Sequence, residues 1–180
     1  MDIAPQIVTE HLLLRGHRAS DHAAALELWS RPEVYGFITG EALGSQDVWM
    51  RLLRYSGLWD FLGFGYWAVE HRESGAYIGQ MGFADFRRGL VGFDGHYPEA
   101  GWMIHPDYAG RGLATEGMAA ACAWLDGQEG WGKSFCIIGP GNVASIAVAK
   151  KLGYRYLLDT ELGGERTAVY FRQATEAPLS

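Results

Sequence analysis

The sequence predicts an α/β fold: a mixed, largely antiparallel central sheet of about seven strands with helices on both faces. Three observations lead there. Two pairs of strand-like runs are joined by short turns containing Gly, as hairpins require. Twice in the second half a strand passes through a Gly-rich turn into a helix. The chain has 180 residues, 48% of them apolar, which suits one domain, over residues 1–180, with a sizeable core.

The elements follow in order. Ile7 to Arg15 reads as a strand. Asp21 to Ser30 reads as a short helix, with Ser20 placed to cap it. Ser45 to Phe61 reads as a second helix, stopped by the glycines at Gly63 and Gly65. Tyr66 to His71 and Ala76 to Arg87 form a hairpin across Glu73-Ser74-Gly75. A Gly-rich loop, Gly89 to Gly95, leads to a strand from Glu99 to Ile104. The next helix, Arg111 to Leu125, carries Met118, Cys122 and Leu125 on one apolar side. A further strand ends at Ile137-Ile138-Gly139-Pro140-Gly141. Asn142 then caps a helix that closes at Lys150-Lys151, with Gly153 placed for its C-cap. Tyr154 to Glu161 and Arg166 to Gln173 close the chain as a hairpin with Gly163-Gly164 at the turn. The tail, 174–180, is expected to fray.

Charge and composition narrow the function. The net charge of −6 argues against general nucleic-acid binding, which needs clustered positive charge. It favours a cationic, amine-bearing substrate. No apolar run is long enough to span a membrane, and the N-terminus lacks a charged-then-apolar leader, so a cytoplasmic protein is expected. The two cysteines, Cys122 and Cys136, lack metal-ligand spacing and read as buried, reduced thiols. No metal is expected.

The chemistry concentrates in His105 to Gly117. Gly110 and Gly112, spaced as G-x-G, stand where a strand turns into a helix. Glycine lets the backbone turn sharply and lie close to a ligand. The first N–H groups of the helix have no partner inside it, and they carry the positive end of its dipole. Such a turn can hold an anion such as a pyrophosphate. The dinucleotide fingerprint fails, because Thr115 stands where its third Gly belongs; the P-loop pattern fails as well. An ordinary strand-to-helix connection remains the alternative on this segment alone.

Taken together, the two Gly-rich turns resemble the GNAT superfamily of acetyl-CoA-dependent N-acetyltransferases. Gly110-x-Gly112-x-Ala114 is similar to the second half of its acetyl-CoA loop, Q/R-x-x-G-x-G/A. Asn142-x-x-Ser145 followed by Lys151-Leu152-Gly153-Tyr154 is similar to its N-x-x-S…K-L-G-F/Y segment. The opening Thr9 to Arg15, the hairpin segments Gly63 to Val69 and Tyr77 to Phe83, and Ala114-Thr115-Glu116 resemble the branch that contains the RimJ and RimL ribosomal-protein acetyltransferases. Asp107, Ala109 and Ala147 depart from the common pattern, which bears on phosphate-contacting side chains more than on the backbone cradle.

The resemblance implies a V-shaped split between the fourth and fifth strands that receives acetyl-CoA as cosubstrate. It assigns cosubstrate binding to Met103, Ile104, His105, Gly110, Arg111, Gly112, Leu113, Ala114, Thr115, Asn142 and Ser145. The amine would attack the thioester directly, which requires a free amine, a donor to the oxyanion and a proton for the thiolate. Backbone N–H groups near Met103 to His105 would face the carbonyl. Glu99 is the candidate general base; the alternative is a surface carboxylate at a strand end. Ser145 is the candidate donor to the leaving sulfur, or a first-turn residue that helps to cap its own helix. Tyr154 is the other candidate donor, or core packing. The acceptor would lie near residues 49–64 and the Gly89 to Tyr97 loop, where Trp59, Phe61, Phe64, Tyr66, Trp67, Phe86, Phe93 and Tyr97 supply aromatic surface. The expected partners are acetyl-CoA and an amine acceptor, either a peptide N-terminus or a small molecule, with no nucleic acid and no membrane. The oligomeric state stays open, a homodimer included. A non-catalytic acyl-CoA sensor of the same fold and an enzyme using a longer acyl-CoA are the alternatives.

Overall fold

The structure, a computed structural model, describes residues 4–93 and 95–174. Of the expected tail, 174–180, all but Ala174 lies outside the described residues. The strands are β1 (Ile7–Val8), β2 (Leu12–Arg15), β3 (Tyr66–His71), β4 (Tyr77–Ala84), β5 (Glu99–Ile104), β6 (Lys133–Ile138), β7 (Arg155–Leu162) and β8 (Glu165–Gln173). The helices are α1 (His22–Trp29), α2 (Pro32–Tyr35), α3 (Ser45–Leu62), α4 (Leu113–Asp126) and α5 (Val143–Lys151). Two compact units divide the chain: Met1–Ala84 with Gly101–Ala121, and Asp85–Ala100 with Cys122–Ser180.

In the first unit the strands run β1-β2-β3-β4-β5. The single strand expected over Ile7 to Arg15 is two, which brings the sheet to eight strands among the described residues. β1 folds back on β2 with Ile7 opposite Leu14 and Val8 opposite Leu13. The cause is local. The Thr9 hydroxyl accepts the Leu12 N–H at 3.0 Å, giving the backbone an alternative to a continuous ladder. The Glu116 carboxylate, in the first turn of α4, holds that turn by accepting from the Thr9 hydroxyl at 2.5 Å and the His11 N–H at 2.8 Å. β2 keeps the alternation of a half-buried strand, with Leu12 and Leu14 on the buried face.

Ser20 does not cap α1. It lies in the 3₁₀ turn Ala19–Asp21, and α1 starts at His22. The Asp21 carboxylate is committed elsewhere: it accepts two Arg15 guanidinium N–H groups at 2.9 and 2.8 Å and the Arg18 N–H at 2.7 Å. Arg15 Nε also reaches Glu70 at 2.8 Å. The short helix α2, which the sequence pattern did not suggest, starts with a Pro whose missing N–H would have had no partner there. The first unit's core gathers Ala25, Leu28, Trp29, Val34, Val48 and Leu52. Trp59, Phe64, Tyr66 and Trp67 are also buried.

In the second unit the order is β5-β6-β8-β7. β5 pairs in parallel with β6 at Glu99 opposite Phe135, whereas β6, β8 and β7 are antiparallel. The closing hairpin is as expected, with Leu162 opposite Glu165 and both turn glycines at positive φ. Asn142 caps α5, its Oδ1 accepting the Ser145 N–H at 3.1 Å, and Gly153 follows the helix at φ +87°. Cys122 and Cys136 are buried and free, and burial pushes both thiols up from their ordinary range. Tyr154 is buried as well; its hydroxyl pairs with Ser134 Oγ at 2.8 Å, which matches the packing role.

The Arg15–Asp21 pair should govern the acid stability of the first unit. Burial alone would raise the Asp21 pKa, but the Arg15 guanidinium and the Arg18 N–H hold it below the ordinary value. A depressed carboxylate contributes stability above its unfolded pKa of about 3.9 and loses that contribution as pH falls through the folded value. Asp21→Ala leaves Arg15 without this partner and should cost about 3–5 kcal/mol at neutral pH. Urea denaturation at pH 7 and pH 3 should show the parent losing stability on acidification and the variant losing less.

Candidate functional site

In the first unit the turn between β5 and α4 has the predicted form. Gly110 and Gly112 adopt φ of +76° and +79°, the left-handed region that glycine enters without steric cost. A Cβ built on either meets nothing within 4 Å, so the space beside the turn is open. Among the described residues the N–H groups of Gly110, Arg111 and Gly112 reach no acceptor. The first N–H groups of α4 follow directly. An open turn with unspent donors at a helix start fits the pyrophosphate of a coenzyme A molecule.

Side chains around the turn contribute unequally. Leu113 is buried and can offer only its backbone; Ala114 and Thr115 are partly exposed. Arg111 is exposed, but its guanidinium folds back, donating to the Asp107 carbonyl at 2.9 Å and lying 5.2 Å from the Tyr108 ring centroid. The cation is thereby held beside the turn.

Met103, Ile104 and His105 are partly exposed. The His105 N–H is already spent on the Ile78 carbonyl at 2.7 Å, so it is not free for an oxyanion. Successive N–H groups of a strand face opposite edges, which directs the Ile104 N–H away from β4. The His105 ring is structural. Its Nδ1 accepts the Asp107 N–H at 3.2 Å, and Nε2 then donates to Glu27 at 2.7 Å.

In the second unit Asn142 and Ser145 sit together at the start of α5. Ser145 is partly buried, and the bond to Asn142 uses its backbone N–H, so the capping role falls to Asn142 and the Ser145 hydroxyl stays uncommitted among the described residues. The Tyr154 hydroxyl is engaged with Ser134, and burial pushes its pKa well above the ordinary value.

Glu99 is the most distinctive group in this unit. It is 7% exposed, not a surface carboxylate. Arg88 Nε donates to both of its oxygens, at 3.0 and 2.8 Å. Burial raises its pKa, and the Arg88 contact offsets part of that rise. The net upward shift moves the carboxyl toward the working range of a general base.

Beside Glu99 lies a cavity of about 220 Å³ walled by Phe86, Arg88, Phe93, Tyr97 and Phe135 among others. Phe93 packs on Phe135 with ring centroids 4.8 Å apart, and Tyr97 on Phe171 at 5.2 Å. Of the aromatic residues expected near an acceptor, Phe86, Phe93 and Tyr97 line this cavity, whereas Trp59, Phe64, Tyr66 and Trp67 belong to the first unit's core and Phe61 is 87% exposed. Asp85 also lines the cavity; Asp94 lies outside the described residues.

Arg88 carried no signal in the sequence, because residues 76–87 read as one strand. The strand stops at Ala84 instead. Arg87 takes φ +51°, the only left-handed non-glycine residue among those described. Asp85 holds that conformation by accepting the Arg87 N–H at 3.0 Å and Nε at 2.8 Å. A non-glycine residue in this region is strained and persists where its neighbours determine it. The turn delivers Arg88 to Glu99.

Among the described residues no group of three His, Cys, Asp or Glu side chains could hold a metal ion. No helix is long and apolar enough to cross a membrane.

Comparison with known proteins identifies the family and the fold. The acetyltransferase (GNAT) domain family matches residues 11–155. YkkB of Bacillus subtilis (strain 168), itself uncharacterized, is 26% identical over 178 residues, covering 97% of this chain and 99% of its own. A protein of Bordetella pertussis assigned to the GNAT family of acetyltransferases superposes with a TM-score of 0.81 at 28% identity, covering 94% of this chain and 99% of the other. RimL, a ribosomal-protein α-N-acetyltransferase solved with coenzyme A, shares the fold at 14% identity with a TM-score of 0.75, over 93% of this chain and 97% of its own. The open glycine turn ahead of α4 and the capped start of α5 are thus set in a domain matched along most of its length, and the chain belongs to the GNAT acetyltransferase family.

Proposed function

We propose that this protein is an acetyl-CoA-dependent N-acetyltransferase that moves an acetyl group to a primary amine by direct attack in a ternary complex. The observation that carries the reading is the pair of left-handed glycines, Gly110 and Gly112, with unspent N–H groups at the start of α4. The complex of RimL with coenzyme A supports the choice of cosubstrate. The Gly110 to Thr115 turn, with the neighbouring Met103 to His105 segment and Asn142, would hold acetyl-CoA. Ile104 would offer its N–H to the developing oxyanion. Glu99 would take the ammonium proton, directly or through a water. The amine nitrogen then bonds the acetyl carbon, the C–S bond breaks, and the proton the nitrogen sheds passes through the Ser145 hydroxyl to the departing thiolate, which leaves as the thiol.

The acceptor is a primary amine of lowered pKa, on a peptide N-terminus or a small molecule. An α-amino group of pKa about 7.7–8.0 is roughly 10–15% free at neutral pH, whereas a Lys side chain near 10.4 is free to about one part in 2,500. One carboxylate base serves the first far better than the second. A cytoplasmic setting, where acetyl-CoA is available, fits this reading.

Three outcomes test it. Gly112→Val places a branched side chain at φ +79° and beside the pyrophosphate. It should abolish thermal stabilisation by acetyl-CoA, as read by differential scanning fluorimetry; undiminished stabilisation removes the cradle from this turn.

Glu99→Gln should lower turnover by roughly 10²–10⁴-fold, with acetyl-CoA affinity little changed. The raised carboxyl pKa makes the ionised base available only as pH climbs through that value, so parental turnover should fall on acidification. The variant should lack this limb, and its deficit should shrink at high pH, where the amine deprotonates unaided. Thiol release followed across pH measures both.

Ser145→Ala should slow single-turnover transfer and leave the melting temperature near parental, because Asn142 carries the cap. Parental transfer with a stability loss of about 1 kcal/mol would reassign the hydroxyl to capping.

A further inference from the structure

We propose that the acceptor is a small α-amino acid with an apolar or aromatic side chain, held through its carboxylate by Arg88. The inference rests on the acetyl-transfer reading above and names the substrate class of that site. The carboxylate of a free amino acid raises its ammonium pKa above that of a peptide N-terminus, and a guanidinium that takes this carboxylate offsets the rise.

Arg88 has more donors than its observed partner uses. A guanidinium carries five N–H groups in a planar fork. The one on Nε is shared between the two oxygens of Glu99. Among the described residues, the four on Nη1 and Nη2 donate to nothing. The side chain is 32% exposed and lines the cavity. Arg87, by contrast, is occupied with Asp85.

The guanidinium is also held in place. Besides the Glu99 contact, its carbon lies 4.6 Å from the Phe86 ring centroid, and the left-handed turn at Arg87 sets its approach. A pre-positioned planar fork is the protein group best matched to a carboxylate.

The cavity therefore presents a cation and an anion side by side. Arg88 and Glu99 lie 2.8 Å apart on its wall, and Phe93, Tyr97 and Phe135 supply apolar surface. That arrangement complements a zwitterion whose amine and carboxylate are one carbon apart. The ammonium would face Glu99, the carboxylate would take the free Nη donors, and the side chain would lie against the aromatic rings. A volume of about 220 Å³ admits a molecule of amino-acid size. It falls below the roughly 300–1,000 Å³ of pockets that take larger ligands. In the transfer, the ammonium loses one proton to Glu99, the N–C bond forms as the C–S bond breaks, the nitrogen's second proton passes to the departing thiolate, which leaves as the thiol, and the carboxylate passes through unchanged.

The test compares acceptors that differ only at the carboxylate. Phenylalanine and leucine, their amides, phenethylamine and a short peptide with an N-terminal phenylalanine are offered with acetyl-CoA, and kcat/KM is expressed per concentration of free amine. The free acids should exceed the amides, phenethylamine and the peptide by about 10- to 100-fold, the size of a charge-assisted contact. In Arg88→Gln this ratio should collapse toward one, mainly through KM, while Arg88→Lys should recover part of it. The acidic limb of the rate should also move to higher pH in Arg88→Gln, because Glu99 loses the cation that offsets its burial. Equal use of acids and amides, or preference for the peptide, by the parent protein overturns the proposal and leaves acetyl transfer standing. This comparison stands even if the Arg88 variants fold poorly. No transfer to any of these amines or to a wider amine panel, despite stabilisation by acetyl-CoA, overturns the transfer reading and the proposal with it.

Discussion

A carboxylate buried at the head of β5 sets the terms for the second unit. Glu99 is largely removed from bulk solvent, and an unpaired ionised group in such a place is costly. Arg88 meets that cost by a contact to both oxygens. Bringing Arg88 there requires β4 to end at Ala84 and the chain to turn through a left-handed Arg87 held by Asp85. The cavity beside Glu99 is walled by the residues of that same turn and of the loop after it. One electrostatic requirement thus shapes a loop, a cavity and the proton affinity of the candidate base.

The first unit shows the same economy at the Gly110–Gly112 turn. Gly110 and Gly112 leave N–H groups unspent, while the surroundings are tightly bonded. Glu116, in the first turn of α4, holds the Thr9 to His11 turn; the His105 ring accepts the Asp107 N–H ahead of the glycines and reaches Glu27. The donors left open for an anion are therefore presented by a braced segment. This is the arrangement that lets backbone dipoles stabilise charge without reorganising first.

Much of the fold was legible in local pattern. The β7–β8 hairpin, β5, α5 with its Asn142 cap and the G-x-G turn each carry their own signals within a few residues: alternation, a capping side chain, glycine where φ is positive. The departures have identifiable causes too. The Ile7 to Arg15 run keeps its strand composition through Thr9 to His11; the Thr9 hydroxyl turns it locally, and Glu116, far along the chain, holds that turn. Ser20 looks like a cap, but the competing demand of Arg15 for Asp21 moves the helix start.

Fold class, family resemblance and the form of the Gly110–Gly112 turn are written in the sequence, because glycine geometry and helix capping are properties of adjacent residues. Residue order could also name Glu99 as a candidate base, but not weigh it against a surface carboxylate. Four facts needed the folded chain: Glu99 is buried and paired, Arg88 is its partner, Tyr154 is engaged with Ser134, and the His105 N–H is spent on Ile78. Burial, desolvation and long-range hydrogen bonding depend on which distant residues arrive at the same place, and no local pattern encodes that.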